Sequence, residues 1–395
     1  MPWRETNPVN ERQQFVLAYL KRDYPFTALC GEFGVSRKTG YKWVSRFMQG
    51  GLVGLADESR ARDTMKHRTP SEVAALIIDT RRSHPTWGPK KIVRRLRELH
   101  PALEFPALST AGNILKKEGL VLSVRKRHRL RFSSVDQLRP LAGPNSTWAT
   151  DFKGEFPLRN EQICYPLTLT DLFSRKLLRC EALTSTTGGP AMRVLESAFR
   201  EFGLPSTLRM DNGTPFRNHL SALKLSLLCV WLIELGINPE FISPGKPQQN
   251  GSHERMHRTL KAEAVSPPSS GIPEQQRRFD QFRREYNADR PHEGIALRTP
   301  DSIYVGSARR YPKQRPQASY GPHLHIRLVS GNGQIRWGHT QFGVARILRG
   351  KRVALEHICD GLLRVQFYSK VIGMFDEEDR TFIPNLGWCL PESDV

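Results

Sequence analysis

The alternation of apolar and polar positions divides the chain into three regions. Up to about residue 119 the apolar residues recur at helical spacing, and from 148 to 242 short β-rich runs alternate with helices. Beyond residue 320 short β-like runs are separated by glycine. A polar segment around Pro140 and Pro144 separates the first region from the second. The pattern predicts a helical N-terminal part, a mixed α/β middle and a β-rich tail.

Residues 27–47, TALCGEFGVSRKTGYKWVSRF, predict two short helices joined by a turn at Gly34, with Ser36 as the N-cap of the second helix. The apolar side chains of the second helix share one face, which leaves four cations elsewhere: Arg37, Lys38, Lys42 and Arg46. This is the pattern of a helix-turn-helix that reads the major groove of DNA. A plain helical hairpin with a solvated basic face would show the same pattern.

A second helical unit follows over residues 70–119, with Ser109 placed as an N-cap and Gly119 as a helix stop. Its middle helix is strongly basic, and we expect three cations there to contact DNA: Lys90, Lys91 and Arg94. The run VRKRHRLRF at 124–132 alternates basic and apolar residues, as a strand or an arm along a DNA backbone would. Four cations of that run are candidate contacts: Arg125, Lys126, Arg127 and Arg129.

From Trp148 onward three β-rich segments, WATDF, CYPLTLTDL and RKLLRCEAL, precede a helix at about 190–202 that Gly203 ends. A short strand, STLRMD, a buried helix, LSALKLSLLCVWLIELG, and a last strand, INPEFI, complete a βββαβαβ order followed by helices. The middle region is therefore predicted to be a mixed α/β sheet covered on its faces. The glycine-punctuated runs of the tail predict a small β-barrel.

The charge composition indicates a negatively charged binding partner. The 395 residues carry a formal net charge of +21 and a pI near 10.1, which favours nucleic acid, with an anionic membrane surface second. The first 140 residues hold 27 Lys/Arg against 13 Asp/Glu, so the excess lies in the helical part. No run approaches a membrane span and no signal peptide opens the chain, so we expect a cytosolic protein. The six cysteines lack a CxxC pair and are expected to be reduced, mostly packed thiols.

Two aspartates stand at strand ends of the predicted sheet. Asp151 follows WAT in the first strand, and Asp211 ends the fourth directly before Asn-Gly. If these strands are neighbours, the two carboxylates point at one spot, where their repulsion calls for a cation. Oxygen ligands without a nearby thiolate favour Mg²⁺ or Mn²⁺. Asp before Asn-Gly is also an ordinary turn sequence, so a turn role for Asp211 stays open.

The run SPGKPQQNGSHERMHRTLKAE contains HERMH, which matches the HExxH pattern of zinc peptidases with His253 and His257 as ligands and Glu254 as the base. The segment SPGKPQQNG cannot be helix interior, so a helix begins directly behind it and holds Glu254 in its first turn. On that helix Glu254 shares a stripe with Arg258 and Lys261, whereas the histidines lie on the more apolar flank. The pattern favours Glu254 as a third carboxylate and leaves the histidines to packing or DNA contact.

Five motifs in order carry a likeness: WATDF, TLTDLFSRKLL, RMDNGTPF, SPGKPQQNGSHERMHRTLK and YNADRPHEGIALRTPDSIY. Over about residues 140–305 the chain resembles the integrase-core transposases of bacterial insertion sequences, which are relatives of retroviral integrases. The resemblance implies a ribonuclease H-like core whose Asp-Asp-Glu triad falls on Asp151, Asp211 and Glu254. Two features depart from the pattern. The 42 residues between Asp211 and Glu254 are more than many relatives have, and helix-turn-helix units replace the zinc module of retroviral integrases.

The resemblance also implies a DNA transposase that binds the terminal inverted repeats of its element, releases a 3′-OH and joins it to target DNA. Two Mg²⁺ (or Mn²⁺) ions per active site would be held by the triad. Lys246 in the preceding loop is a candidate DNA contact, as are Arg255, Arg258 and Lys261 on the helix. The expected partners are double-stranded DNA and further copies of the chain, as a homodimer or higher assembly, without a membrane.

Two alternatives to the transposase stay open. The first is a catalytically silent DNA-binding regulator with the same fold, and the remote second is the HExxH zinc peptidase. The transposase interpretation places the protein in the bacterial cytoplasm, at the nucleoid. It predicts five segments: a helix-turn-helix domain at 1–65, a second helical DNA-binding domain at 66–122, a basic linker at 123–147, the ribonuclease H-like core with trailing helices at 148–305, and a DNA-binding β-barrel at 306–395.

Overall fold

The computed structural model describes residues 7–57, 69–121, 141–218, 221–243 and 247–385. The chain divides into two compact units, Met1–Arg68 and Thr69–Val395. The finer domain bounds given above remain predictions. Five predicted DNA contacts lie outside the described residues: Arg125, Lys126, Arg127, Arg129 and Lys246.

The first unit is built from α1 (Pro8–Lys21), α2 (Phe26–Glu32) and α3 (Arg37–Gly50). Ser36 is the N-cap of α3, because its Oγ accepts the Thr39 amide at 3.2 Å. Gly40 lets α3 pack closely, since a Cβ there would lie 2.9 Å from the Cys30 Sγ and from the Phe15 ring. The helix-turn-helix predicted for 27–47 is confirmed.

The second helical segment consists of α4 (Ser71–Ser83), α5 (Pro89–Leu99) and α6 (Leu108–Lys117), packed around Trp87. Gly119 adopts a left-handed conformation with φ +69° and ends α6 as predicted. The N-cap prediction for Ser109 is wrong, because the Ala111 amide already donates to the Ala107 carbonyl at 3.0 Å. The first turn of α6 therefore starts ahead of Ser109.

The middle region forms one mixed sheet. Its strands are β1 (Thr147–Phe152), β2 (Phe156–Pro157), β3 (Ile163–Asp171), β4 (Leu177–Leu183), β5 (Thr207–Met210) and β6 (Asn238–Phe241). Strand β3 pairs antiparallel with β1, β2 and β4, whereas β5 runs parallel to both β1 and β6. Helix α7 (Gly188–Phe202) joins β4 to β5, and α8 (Leu227–Glu234) joins β5 to β6. The predicted βββαβαβ order is present, with the short β2 added.

The two faces of this sheet are covered by different helices. Leu167 and Leu169 of β3 belong to the core that contains α7 and α8. Cys164 of β3 belongs to a second core, with α9 (Gly251–Leu260) and α10 (Ile272–Ala288). Because side chains alternate along a strand, Thr168 and Thr170 face α9. This face carries the candidate site.

The helix predicted over 220–236 is shorter than expected. Lys224 has φ +51°, a left-handed conformation that a helix cannot include. Ser226 then caps α8, since its Oγ accepts the Cys229 amide at 3.1 Å. Leu223 and Leu225, just before the cap, are buried without being helical. By contrast, Gly203 ends α7 with φ +83°, as predicted.

The tail contains seven strands: β7 (His325–Leu328), β8 (Gln334–Trp337), β9 (Thr340–Gly343), β10 (Arg352–Cys359), β11 (Leu362–Phe367), β12 (Lys370–Asp376) and β13 (Thr381–Pro384). Five of them form an antiparallel sheet in the order β13-β12-β11-β10-β7, and β8 pairs with β9 separately. Among the described strands, no ladder joins β13 back to β7, so the closed barrel is not confirmed. Periodicity identifies strands, but it does not show whether the sheet edges meet.

Within the ranges that the structure describes, no helix is both long and apolar enough for a membrane crossing. Four of the described cysteines are buried: Cys30, Cys164, Cys180 and Cys229. Cys359 is exposed, and all five are free thiols. This agrees with the expectation of reduced, mostly packed cysteines.

Candidate active site

The two aspartates of the sequence prediction leave neighbouring strands at the same level. The parallel pair β1 and β5 aligns Ala149 with Arg209. Two residues further along the strands lie Asp151 and Asp211, and neighbouring strands are about 4.8 Å apart. The negative charge of Asp211 raises the pKa of Asp151. The structure therefore brings both carboxylates to one edge of the sheet.

Asp211 also has the turn role that its sequence context suggested. Its Oδ1 accepts the Gly213 amide at 3.2 Å. Burial raises the pKa of Asp211, and this hydrogen bond partly opposes the shift. A Cβ at position 213 would lie 3.1 Å from the Asp211 Oδ2, so glycine leaves room beside that oxygen. The turn orients Asp211 and does not exclude it from the site.

Glu254 lies in the first turn of α9, as predicted from the loop that precedes it. Met256 and Leu260 bury one side of α9 against the sheet, while the Glu254 side chain is exposed. Its charge adds to the effects that raise the pKa of Asp151. Glu263, the nearby carboxylate off the motif, accepts a hydrogen bond from Arg290 Nη1 at 2.6 Å instead. Glu254 is thus the third carboxylate at this edge.

Asp151 has the strongest resolved perturbation among these three carboxylates. Burial raises its pKa to about 7, with further contributions from the charges of Asp211 and Glu254. The amide of Phe152 and the charge of Lys153 oppose the shift. The site therefore disfavours three negative charges unless a cation offsets them.

This shift predicts a pH-dependent stability. The pKa of Asp is about 3.9 in an unfolded chain, whereas that of Asp151 in the folded protein is about 7. The contribution of protonated Asp151 to the free energy of unfolding is therefore fully present below about pH 4. The contribution is lost as the pH rises through 7. In EDTA, we expect the melting temperature of the wild type, relative to Asp151→Asn, to fall between pH 5 and 8. Mg²⁺ should restore only the wild type at pH 8. A difference that does not change with pH would contradict the assigned shift.

Two histidines of α9 contact the threonines of β3. Both His253 Nε2 and His257 Nε2 lie 2.7 Å from Thr168 Oγ1. His253 Nδ1 lies 2.9 Å from Thr170 Oγ1. Burial lowers the pKa of His253 to about 3 and that of His257 to about 2, so both rings are neutral near pH 7. Each histidine therefore carries a single N–H.

The proton positions follow from the Thr168 hydroxyl, which has one hydrogen to share among three contacts. It donates to the Asp151 carbonyl at 3.1 Å. Both histidines must then donate their Nε2–H to Thr168 Oγ1, and Thr170 donates to His253 Nδ1. Of the two unprotonated ring nitrogens, His253 Nδ1 accepts from Thr170, and His257 Nδ1 lies 3.8 Å from Asp151 Oδ2. Two acceptors that face each other need a proton or a cation between them.

This network bears on the zinc-peptidase alternative. Ligand atoms of Asp151, His253 and His257 lie within 4.8 Å of one another, a spacing that a metal ion could bridge. However, both nitrogens of His253 already have hydroxyl partners, and the Glu254 side chain is exposed whereas both histidines are buried. The contacts disfavour the HExxH arrangement. The atoms that remain available to bind a metal ion are His257 Nδ1 and the carboxylate oxygens.

Sequence reasoning missed the residues that hold this edge together. Arg209, two residues before Asp211, donates from Nε to Glu240 Oε2 at 2.6 Å. Both side chains are buried. Arg209 Nη1 also reaches the Gln249 carbonyl at 3.4 Å, just before α9. One guanidinium thus ties the strand of Asp211 to the segment that leads to Glu254. The alternating TLT of β3 was a usable signal for the threonines, whereas a pair 31 residues apart leaves no local signal.

The predicted DNA contacts have different surroundings. Arg37, Lys38 and Lys42 are exposed on α3, whereas Arg46 is half-buried with its Cζ 5.1 Å from the Trp43 ring centroid. On α5, Arg94 pairs with Glu98 at 2.9 Å, Lys90 is exposed and Lys91 is half-buried. Arg255, Arg258 and Lys261 are exposed around Glu254. Every one of these roles stays a prediction.

The sequence of this region matches known families. Two models, each described as an integrase core domain, match residues 142–247 and 235–300, and these ranges together contain all three carboxylates. Residues 142–300 are thus similar to integrase core domains. A helix-turn-helix domain model matches residues 11–63, and a homeodomain-like domain model matches 39–115. The resemblance to integrase-core transposases of insertion sequences is confirmed, and so are its helix-turn-helix parts.

Two proteins similar to this chain come from insertion elements. An uncharacterized 39.2 kDa protein of insertion element IS476 from Xanthomonas euvesicatoria is 26% identical over 266 residues, covering 65% of this chain and 71% of that protein. An uncharacterized 31.7 kDa protein of IS407 from Burkholderia multivorans is 24% identical over 257 residues, covering 64% and 87%. A chain in the structure of the simian T-cell lymphotropic virus intasome in complex with PP2A regulatory subunit B56 gamma is 17% identical, covering 74% of this chain and 96% of that one. Its TM-score of 0.37 is too low to support a conclusion.

Proposed function

We propose that the protein is a DNA transposase that binds the ends of its insertion sequence, cleaves them to release a 3′-OH and transfers that strand to target DNA. One observation carries the proposal. Asp151, Asp211 and Glu254 meet at one edge of the sheet inside an integrase core domain, and the charges of the other two raise the pKa of Asp151. The mixed sheet with its antiparallel and parallel halves supports a ribonuclease H-like core.

The donor set fits a hard divalent cation. Three carboxylates whose charges oppose one another, with no cysteine among the described groups that shift the pKa of Asp151, suit Mg²⁺ or Mn²⁺. The Nδ1 of His257 lies 3.8 Å from the Asp151 Oδ2, and this acceptor pair needs a proton or a cation between its members. Lewis-acid stabilisation of phosphoryl oxygens is the chemistry that such a cation supplies when bound. The number of ions, two in our prediction, remains a proposal.

The protein's own residues would position the DNA strand. Asp151 lies in β1 and Asp211 directly follows β5, so the strands of the sheet position both carboxylates. Glu254 comes from a helix end that is exposed, where DNA can approach it. Arg255 and Arg258 are exposed on α9 beside Glu254 and can hold phosphate oxygens. This arrangement needs no covalent protein intermediate.

Recognition of the element ends is assigned to the helix-turn-helix. Arg37, Lys38 and Lys42 are exposed on α3, which begins at a capped N-terminus. We expect Lys42→Ala to weaken DNA binding and to reduce the salt slope of the binding constant by about one phosphate contact. Lys21→Ala, an exposed cation at the end of α1, is the matched control and should leave the slope unchanged. If the binding constants of both variants show the same salt slope, Lys42 on α3 does not contact a DNA phosphate.

Assembly follows from the reaction, because two DNA ends must be joined. We propose a homodimer or higher assembly on DNA, in which the helical part of one copy binds the end that another copy cleaves. The C-terminal sheet is proposed as a further DNA-binding part.

The catalytically silent DNA-binding regulator remains the alternative function, and three intact carboxylates argue against it.

The experiment that tests the proposal uses DNA from both flanks of the gene, labelled at the 3′-terminated strand. With Mg²⁺, the purified protein should nick this strand at a defined position and leave a 3′-OH. EDTA should abolish the nick without releasing the protein from DNA. Specific binding with no cleavage in Mg²⁺ or Mn²⁺ would favour the regulator instead.

A further inference from the structure

Five cations line one cavity in the second compact unit, on the flank of α9 next to Glu254. The cavity has a volume of about 320 Å³ and lies between α5, the turn after β3, α9 and the end of α10. Its cations come from all of these parts: Lys91, Arg175, Arg255, Arg258 and Arg290. The one carboxylate in the lining, Glu293, has a side chain that is 63% exposed. The cavity is therefore strongly positive.

Pairing within the described residues does not neutralise this cluster. Arg290 pairs with Glu263 at 2.6 Å, whereas Arg175 and Arg258 have no ion pair with a described carboxylate. Arg255 donates from Nε to the Gly251 carbonyl at 3.2 Å and likewise has no ion pair with a described carboxylate. The folded protein thus holds several cations together without matching anions.

The cations affect one another across the cavity. Burial lowers the pKa of Lys91 to about 8, and the charge of Arg290 contributes to the shift. Burial also lowers the pKa of Arg175, and the charge of Arg255 adds to it. Half-buried like charges raise the free energy of the folded state, and a bound anion would offset this cost. A cluster of this kind favours the binding of an anion.

The donors and their placement indicate which anion fits. Guanidinium groups bind phosphate oxygens through two parallel N–H donors, and the Ser252 hydroxyl adds a further donor in the same lining. Arg255 follows Glu254 directly, and Arg258 lies about one turn, roughly 5.4 Å, further along α9. A DNA strand that passes Glu254 therefore brings its neighbouring phosphates to this cavity.

We propose that this cavity binds a phosphate group and that its occupant is a backbone phosphate of DNA. The choice of DNA rests on the proposed function, since the cavity and the carboxylates share one helix. Lys91 belongs to the second helical segment, and the arginines belong to the core and its trailing helices. One bound phosphate would therefore hold both parts on the same strand, beside the Arg95 to Asp289 ion pair that already links them.

The first test measures binding of a short DNA duplex to the full chain in EDTA. Lys91→Gln and Arg258→Gln should each weaken binding about tenfold and reduce the salt slope by about one phosphate contact. Arg284→Gln is the matched control, because Arg284 is exposed on α10 outside the cavity lining. It should bind the duplex as the wild type does.

The second test separates ligand binding from a structural role. Without DNA or phosphate, Lys91→Gln should melt at or above the wild-type temperature, because the substitution removes a half-buried, repelled charge. Inorganic phosphate, compared with chloride at equal ionic strength, should raise the melting temperature of the wild type more than that of the variant. A structural lysine would give the opposite, a lower melting temperature without any anion.

The outcomes decide between distinct claims. If Lys91→Gln is less stable than the wild type but binds the duplex equally well, the cavity is not a phosphate-binding site. If inorganic phosphate stabilises the wild type but neither substitution weakens duplex binding, DNA is overturned as the occupant. All measurements are made in EDTA, so a wild type that fails to cleave DNA would refute the transposase proposal while leaving this result intact.

Discussion

Replacing Glu254 with glutamine is expected to lower Mg²⁺-dependent cleavage and strand transfer by at least about 10²–10³-fold, the range seen when one preorganised charge-stabilising group is lost. The side chain is exposed, and glutamine keeps its size, so the fold should be unchanged. The substitution removes one of the three charges that would hold the cation beside Asp151. DNA binding should be equal or tighter, because a negative charge near the phosphates is lost. Cleavage rates and binding constants measured on the same DNA check both expectations.

Glu263→Gln is the control for this prediction. Glu263 lies nine residues further along the chain and is bound to Arg290, so glutamine there should cost stability and spare cleavage. Full cleavage by Glu254→Gln together with loss in Glu263→Gln would move the third carboxylate to position 263. His257→Ala adds a check on the zinc peptidase. Loss of activity there, with zinc restoring the chelated wild type, would favour that alternative.

Arg209→Met is expected to destabilise the second unit by about 3–5 kcal/mol, because it leaves the Glu240 carboxylate buried without its partner. The pair joins β5 to β6 in register, and Arg209 also reaches the Gln249 carbonyl. Strand transfer should fall as well, since both Asp211 and the start of α9 depend on this contact. Urea unfolding measures the stability, and the strand-transfer rate measures the effect on the site.

The double substitution Arg209→Met with Glu240→Leu separates an unpaired charge from lost packing. It should recover most of the stability, because no charge is then left in the core. Arg200→Met is the exposed counterpart, and its pair with Glu196 should be worth no more than about 1 kcal/mol. A double variant as unstable as Arg209→Met would show that packing, rather than the ion pair, holds the strands.

Local pattern was enough to predict the strands and the meeting of the carboxylates. The aspartates stand at the ends of two runs with clear β character, and neighbouring parallel strands place them side by side. The loop SPGKPQQNG fixes where α9 begins, and that start places Glu254 in the first turn. These features depend on periodicity and on helix-start signals, which a sequence displays directly.

Other features depend on contacts that no local pattern shows. The helix predicted to start near 220 is cut short by the left-handed Lys224 and the Ser226 cap, although leucines recur throughout the run. The tail was predicted as a barrel, yet its described edge strands do not pair with each other. The Arg209 to Glu240 pair and the cavity at Lys91 join segments that are far apart in sequence. Long-range pairing decides these points, and alternation along the chain does not.

The central claim is that Asp151, Asp211 and Glu254 form one metal-dependent strand-transfer site. Its most direct test is the joining of a DNA end with a free 3′-OH to a supercoiled target plasmid in Mg²⁺. The wild type should give joined product, whereas Asp211→Asn should bind both DNAs equally well and give none. Joined product of equal yield from Asp211→Asn would contradict the account.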